Sequence, residues 1–232
     1  MIRTTRLSAV RPTLAARVVR SGAAGYLLTH LPVPLPLARP FLLRDNAQEN
    51  RADGWNRLAA PGETARYDAV RALCHAYAAD GLVLDVGCSR GLLQSGLHYG
   101  RYVGIDSHEE PLVHAQERAD DRTSFLRADA DAYVPPEPVD AVVLNEVLYY
   151  LPRPVRTVER LAHHLVPGGV LIVSMCRAWA TDRIVRQVSA LFPVVETRHV
   201  AGPAHLAWTV AVFRPAALAP KVSRLERDPR LS

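Results

Sequence analysis

The chain has 232 residues, 49% hydrophobic and 22% charged, an ordinary globular composition that can bury one core without disulfides or metals. Its formal charge of +5 traces to seven arginines in the first 44 residues, where there are no acids; the rest holds 21 basic against 23 acidic residues. A near-neutral body argues against a nucleic-acid-binding face. Three scattered cysteines, Cys74, Cys88 and Cys176, argue against a disulfide framework or a zinc site, so no metal is expected.

Residues 1–44 read as a basic arm rich in Pro and Arg. Such a start also matches an organelle transit peptide, but a substrate-covering extension of a cytoplasmic protein is the preferred reading. The apolar run Leu27 to Leu43 is interrupted by Pro32, Pro34, Pro36 and Pro40, which favours an extended path over a membrane span. The domain is expected from 45 to 214, with a polar tail over 215–232. Asp45 to Trp55 can start a short helix. Ala69, Val70, Leu73 and Tyr77 repeat at helical spacing until Asp80-Gly81 stops the run.

A first strand covers Leu82 to Asp85, and a helix with Leu92, Leu93 and Leu97 is expected between Gly91 and Gly100. Tyr102 to Asp106 is a second strand. Pro111 opens a helix that Leu112 to Arg118 continues. Ser124 to Asp129 forms a third strand and Asp140 to Asn145 a fourth, apolar enough to be covered on both faces. A helix over Pro154 to Val166 is broken by Pro167-Gly168-Gly169, and Val170 to Ser174 is a fifth strand. Thr181 to Phe192 is helical. Val194 to Val200 and Leu206 to Phe213 are strands whose short connection makes them antiparallel. Alternation of strand and helix up to that pair predicts an α/β fold, a doubly wound, mostly parallel seven-stranded sheet with an antiparallel end.

In such sheets ligands bind beyond the carboxyl ends of the strands, where Asp85, Asp106, Asp129 and Asn145 all fall. Gly87 and Gly91 let the backbone turn sharply and approach a ligand, and a helix after them would present free N–H groups. Asp106 lies 19 residues after Gly87, where a carboxylate can accept both hydroxyls of a ribose. Asp129, on the next strand end, can accept an adenine amino group; its alternative is a solvated loop acid.

The segment Val83-Leu84-Asp85-Val86-Gly87-Cys88-Ser89-Arg90-Gly91 resembles the first motif of class I, Rossmann-like S-adenosylmethionine-dependent methyltransferases. Tyr102 to Asp106 resembles their ribose-binding strand, Arg127-Ala128-Asp129-Ala130 their adenine segment, Asn145 to Leu151 their fourth-strand motif, and Leu165 to Leu171 their turn before strand five. The likeness spans about residues 62 to 214. It departs at Ser89, where the family commonly has glycine. The resemblance implies S-adenosyl-L-methionine as cofactor, held by Tyr67, Asp85, Gly87, Cys88, Gly91, Asp106, Asp129, Ala130 and Asn145. The Asn145 to Leu151 stretch is similar to nodulation-type N-methyltransferases and natural-product tailoring enzymes, which implies a small-molecule acceptor, an amine or a hydroxyl, and no nucleic acid.

A hydroxyl acceptor needs a base more than a neutral amine does. His108, His199 and His205 are candidates, each with a structural or surface role as its alternative; His163-His164 reads as surface. Glu146, Tyr149 and His199 are the catalytic candidates; Tyr150 either faces the same cofactor–acceptor boundary or simply packs, and Trp179 either walls the acceptor pocket or packs in the core or on the surface. Two other readings share parts of the pattern. A nicotinamide-dependent oxidoreductase would use the glycine turn and Asp106, but Gly87-x-x-x-Gly91 lacks the GxGxxG spacing. A non-catalytic cofactor-binding protein would keep the turn and lack an acceptor pocket.

Overall fold

The computed structural model describes residues 61–202 and 206–216. The basic arm, the polar start over 45–60, His205 and the tail from 217 lie outside the described residues. In chain order the elements are α1 (Pro61–Ala78), β1 (Leu82–Val86), β2 (Arg101–Asp106), α2 (Glu109–Gln116), β3 (Thr123–Arg127), β4 (Val139–Asn145), a 3-10 turn (Leu148–Tyr150), α3 (Pro154–Ala162), β5 (Leu165–Cys176), α4 (Trp179–Leu191), β6 (Val194–Ala201) and β7 (Ala207–Phe213).

The seven strands form one sheet in the order β3-β2-β1-β4-β5-β7-β6. The first five run parallel, β7 pairs antiparallel with β5, and β6 pairs antiparallel with β7. Because side chains alternate across a strand, the two faces carry separate cores. Leu84, Val86, Val142, Leu144, Leu171 and Val173 pack with Val158 and Leu161 of α3 and Ile184 and Val188 of α4. Val83, Ala141, Val143, Ile172 and Val212 pack with Val70 and Leu73 of α1 and Leu112 and Ala115 of α2. Full burial of each such Leu, Val or Ile stabilises by about 1.5–3 kcal/mol. No described helix is long and apolar enough to cross a membrane.

Two expectations are corrected. The segment after Gly91 is a run of turns, not a helix. Ser89 (φ 49°), Gly91 (φ 70°) and Gly96 (φ 80°) all sit in the left-handed region, which a right-handed helix cannot accommodate. There is accordingly no helix N-terminus at this turn. Likewise α3 stops at Ala162, short of Val166, and β5 starts at Leu165. Leu165 pairs with Val139, and the register then shifts before Ala141 meets Val170; Pro167-Gly168-Gly169 thus falls inside an irregular strand.

Candidate functional site

The crossover reverses between β1 and β4, and a cavity of about 410 Å³ opens beyond the strand ends on that side. Reading across the sheet, its walls come from Asp129 after β3, Asp106 of β2, Asp85 of β1, Asn145 and Glu146 at the end of β4, Cys176 of β5 and Trp208 of β7. Tyr67, Gly87, Cys88, Ala130 and Tyr149 also line it. The volume lies in the range of small-molecule and cofactor sites, about 300–1,000 Å³.

At the β2 side, Asp106 is held in place by the turn. Ser89 N–H donates to Oδ2 and His108 N–H donates to Oδ1, each at 2.9 Å. Each carboxylate oxygen keeps a lone pair for a further donor. The His108 ring lies 3.4 Å from Oδ1, and that contact raises its pKa. Asp129 is exposed and its Oδ1 accepts the Asp131 N–H at 2.8 Å. It is therefore a turn-forming loop acid that also lines the cavity.

Asp85 is 2% exposed. The Tyr102 hydroxyl donates to its Oδ2 at 2.5 Å, while Oδ1 is buried without a partner among the described residues. Burial, the largest influence, pushes its pKa up to about 7, against the Tyr102 hydrogen bond. A buried carboxylate oxygen left in this way costs about 1–3 kcal/mol or more until a donor arrives.

The β4 side holds a second buried charge cluster. Arg66, 1% exposed, donates from Nε and Nη2 to Glu63 Oε2 (3.1 and 2.9 Å) and from Nη1 to Asn145 Oδ1 (2.5 Å). Its guanidinium lies 4.4 Å from the Tyr67 ring centre and 5.7 Å from that of Trp208. Glu146 follows β4 in a left-handed conformation (φ 59°), an uncommon state for a non-glycine residue that surrounding contacts must hold. Its backbone N–H donates to the Ser174 carbonyl at 2.9 Å, and Tyr149 OH donates to Oε2 at 3.1 Å. Glu146 Oε1 is buried without a partner among the described residues. Burial again dominates, and the Glu146 pKa is pushed up to about 7 although Arg66 pulls it down.

Some expected residues stand elsewhere. His199 is an exposed residue of β6, the edge strand outside β7, and its Nδ1 faces Thr209 Oγ1 at 3.4 Å. It does not line the cavity, so its assignment as a catalytic candidate is withdrawn. Gly91 does not line it either; a Cβ there would meet Phe125 Cε1 at 2.8 Å, so the glycine serves close packing of the turn. Trp179 starts α4 away from the lining, and Trp208 supplies the indole wall instead. Arg66, Glu63 and Tyr102 are the groups that sequence reasoning missed as partners. Arg66 and Tyr102 bond to Asn145 and Asp85, which are remote in sequence, and Glu63 matters through Arg66, its neighbour one turn along α1.

Ser89 carries the left-handed conformation without glycine's freedom, and its buried hydroxyl has no partner among the described residues. Ser89→Gly is expected to relieve both costs, offset in part by glycine's larger unfolded-state entropy. The net gain is about 1 kcal/mol, or about 2–4 °C in Tm. Thermal melts of the two proteins check it; an unchanged or lower Tm would show that the turn is not strained.

Residues 84–173 match the family model described as a methyltransferase domain. A trans-aconitate 2-methyltransferase of Azoarcus sp. (strain BH72) is 35% identical over 111 residues, 45% of this chain and 44% of that protein. The same-named protein of Sinorhizobium fredii is 36% identical over 99 residues, 41% of this chain and 38% of that protein. The chain thus spans less than half the length of these curated relatives. Among solved structures, N-methyltransferase NodS from Bradyrhizobium japonicum WM9, in complex with S-adenosylhomocysteine, aligns with a TM-score of 0.66 at 24% identity, over 74% of this chain and 97% of NodS. The Burkholderia thailandensis 1,6-didemethyltoxoflavin-N1-methyltransferase aligns with a TM-score of 0.58 at 20% identity, over 80% of this chain and 92% of that one. The matched residues span the sheet from β1 into β5, so this part of the chain is similar to a methyltransferase domain, and the sheet has the fold of the solved methyltransferases.

Proposed function

We propose that this protein transfers a methyl group from S-adenosyl-L-methionine to an amine or hydroxyl of a small-molecule acceptor. The observation that carries the reading is one cavity lined by two differently prepared acids. Asp106 is pinned by two backbone N–H groups, and Asp85 has a buried oxygen still lacking a donor. These residues fit the cofactor. Asp106 keeps lone pairs for two ribose hydroxyls, Asp85 Oδ1 suits the ammonium at the methionine end, and Asp129 with Ala130 offers a place beside adenine. The names of the relatives support methyl transfer as the reaction class and differ in the acceptor.

When bound, the cofactor's sulfonium supplies an electrophilic methyl group. The chain's own contribution is then mainly positioning, which can be worth effective molarities of about 10⁵–10⁸ M. Tyr67, Tyr149 and Trp208 wall the space beside β4 and β5 and displace water from it. Glu146, poised near neutral pH, can hold or take a proton at Oε1.

Isothermal calorimetry of the full chain with S-adenosylhomocysteine tests the reading, and saturable one-to-one binding is expected. A folded protein that gives no binding heat, or that binds NADH in its place, overturns it.

A further inference from the structure

Charge is distributed unevenly around this cavity. Five carboxylates line it, those of Glu63, Asp85, Asp106, Asp129 and Glu146, and among the described residues no arginine or lysine does. Asp106 and Asp129 belong to the β2–β3 side, whereas Glu146, Cys176 and Trp208 lie toward β5 and β7. Four strand spacings of about 4.8 Å separate β2 from β7, so the two ends can serve different ligand groups.

The β4 end has a charge deficit. Arg66 sits behind the wall with its hydrogen bonds directed to Glu63 and Asn145. Two carboxylates, Glu63 and Glu146, share this one guanidinium, and a second carboxylate charge at so enclosed a site is costly until a cation meets it. Glu146 Oε2 has the Tyr149 hydroxyl, the Cys176 backbone also favours the charged carboxylate, and Oε1 makes no hydrogen bond of regular geometry among the described residues. The aromatic rings of Tyr67, Tyr149, Tyr150 and Trp208 line the same end, and ring faces attract cations.

We propose that the acceptor end takes a primary amine, entering as its ammonium, in preference to a hydroxyl or a carboxylate, with Glu146 Oε1 as the group that meets the charge. The inference rests on the methyl-transfer reading above. An ammonium N–H donates to Oε1, the pair completes the Glu63–Arg66–Glu146 cluster, and the remaining bulk packs on the rings. Transfer of that proton to Oε1 breaks one N–H bond and leaves the lone pair on nitrogen, the form a methyl acceptor needs. A tricarboxylate such as trans-aconitate finds no matching cations: it would face Glu63 and Glu146, and like charges so placed cost several kcal/mol. The acceptor named for the curated relatives therefore does not carry over to this chain.

The test uses the full chain saturated with S-adenosylhomocysteine and four calorimetric probes: benzylamine, benzyl alcohol, benzoate and trans-aconitate. Benzylamine is expected to bind at least about tenfold tighter than benzyl alcohol, as one charge-assisted hydrogen bond implies, and the two anions to give no binding. Arg66 and Glu63 of α1, Tyr149 of the 3-10 turn and Cys176 of β5 face Glu146. In that setting its carboxylate gains charge as pH rises through about 7. Benzylamine, still protonated, should therefore bind more tightly at pH 8 than at pH 6. Glu146→Gln should weaken benzylamine about tenfold and remove that pH trend. Tighter binding of benzoate, trans-aconitate or benzyl alcohol than of benzylamine overturns the proposal in the wild-type protein alone. Unchanged benzylamine affinity in a folded Glu146→Gln protein overturns the role of Glu146. Loss of S-adenosylhomocysteine binding itself would strike at the methyl-transfer reading, a separate result.

Discussion

Replacing Asp106 by alanine is expected to weaken S-adenosylhomocysteine binding by about 100-fold or more, since two charge-assisted hydrogen bonds to a ribose are each worth about 1.5–3 kcal/mol. The carboxylate is held before any ligand arrives, because the Ser89 and His108 N–H groups fix both its oxygens. Ordering entropy is thus already spent in folding, and the hydroxyls meet a rigid acceptor. The same substitution strips two backbone donors of their partners, so a stability loss of about 1–2 kcal/mol should accompany it. Asp106→Asn separates the two effects. It keeps one acceptor oxygen, sets its NH2 against the other backbone N–H and loses the charge, so the fold should be retained by circular dichroism at a cost smaller than that of the alanine, while binding still weakens about tenfold or more. Near-wild-type calorimetric affinity in either folded variant would show that Asp106 serves the turn alone.

Much of the sheet was legible because its signals are local. Val83-Leu84 and Val142-Val143-Leu144 are continuous apolar runs, as strands covered on both faces require, and each sends alternate residues into the two cores. The turn after Gly91 was misread for a physical reason. Leucines at 92, 93 and 97 have helical spacing, but the left-handed backbone at Ser89, Gly91 and Gly96 is a conformational fact that spacing does not express. Leu165 fits a helical stripe and also the pairing with Val139; the strand prevails, and Leu165 reaches the same core from it.

The candidate site divides in the same way. Asp85, Asp106 and Asn145 end apolar runs, so their place at the strand ends followed from the sequence. Their partners did not. The Arg66–Asn145 contact spans 79 residues, and the Tyr102–Asp85 contact joins neighbouring strands through facing side chains. His199 failed because β6 lies outside β7, a strand order that two consecutive β segments leave open. Trp208, on the inner of those two strands, reaches the cavity instead.

Asp85 also sets how stability should depend on pH. An aspartate in an unfolded chain titrates near about 3.9, and in the folded domain burial moves Asp85 to about 7. The folded state thus holds its proton more tightly than the unfolded state. The stability this supplies is fully present below about pH 4 and is lost as pH rises through about 7. Glu146, also pushed up to about 7, acts in the same direction. Asp120 and Glu196, with lowered pKa values, change stability only at more acid pH. Urea melts between pH 5.5 and 8.5 should therefore show the wild-type protein weakening, by up to about 1.4 kcal/mol per pH unit per group.

Asp85→Asn removes the charge and keeps an oxygen for the Tyr102 hydroxyl. It should flatten the slope and gain about 2–4 kcal/mol at pH 8.5, an upper estimate for a shift of this size. It should also lose affinity for S-adenosylhomocysteine, because the amide offers a donor or a weaker acceptor where the ligand's ammonium needs an anion. A ligand cation at Oδ1 stabilises the ionised form, so saturation with S-adenosylhomocysteine should flatten the wild-type slope much as the substitution does. An equal slope in Asp85→Asn and wild type would mean that the buried carboxylate does not govern the pH dependence. The opposite result would identify its unpaired oxygen as a cost that ligand binding relieves.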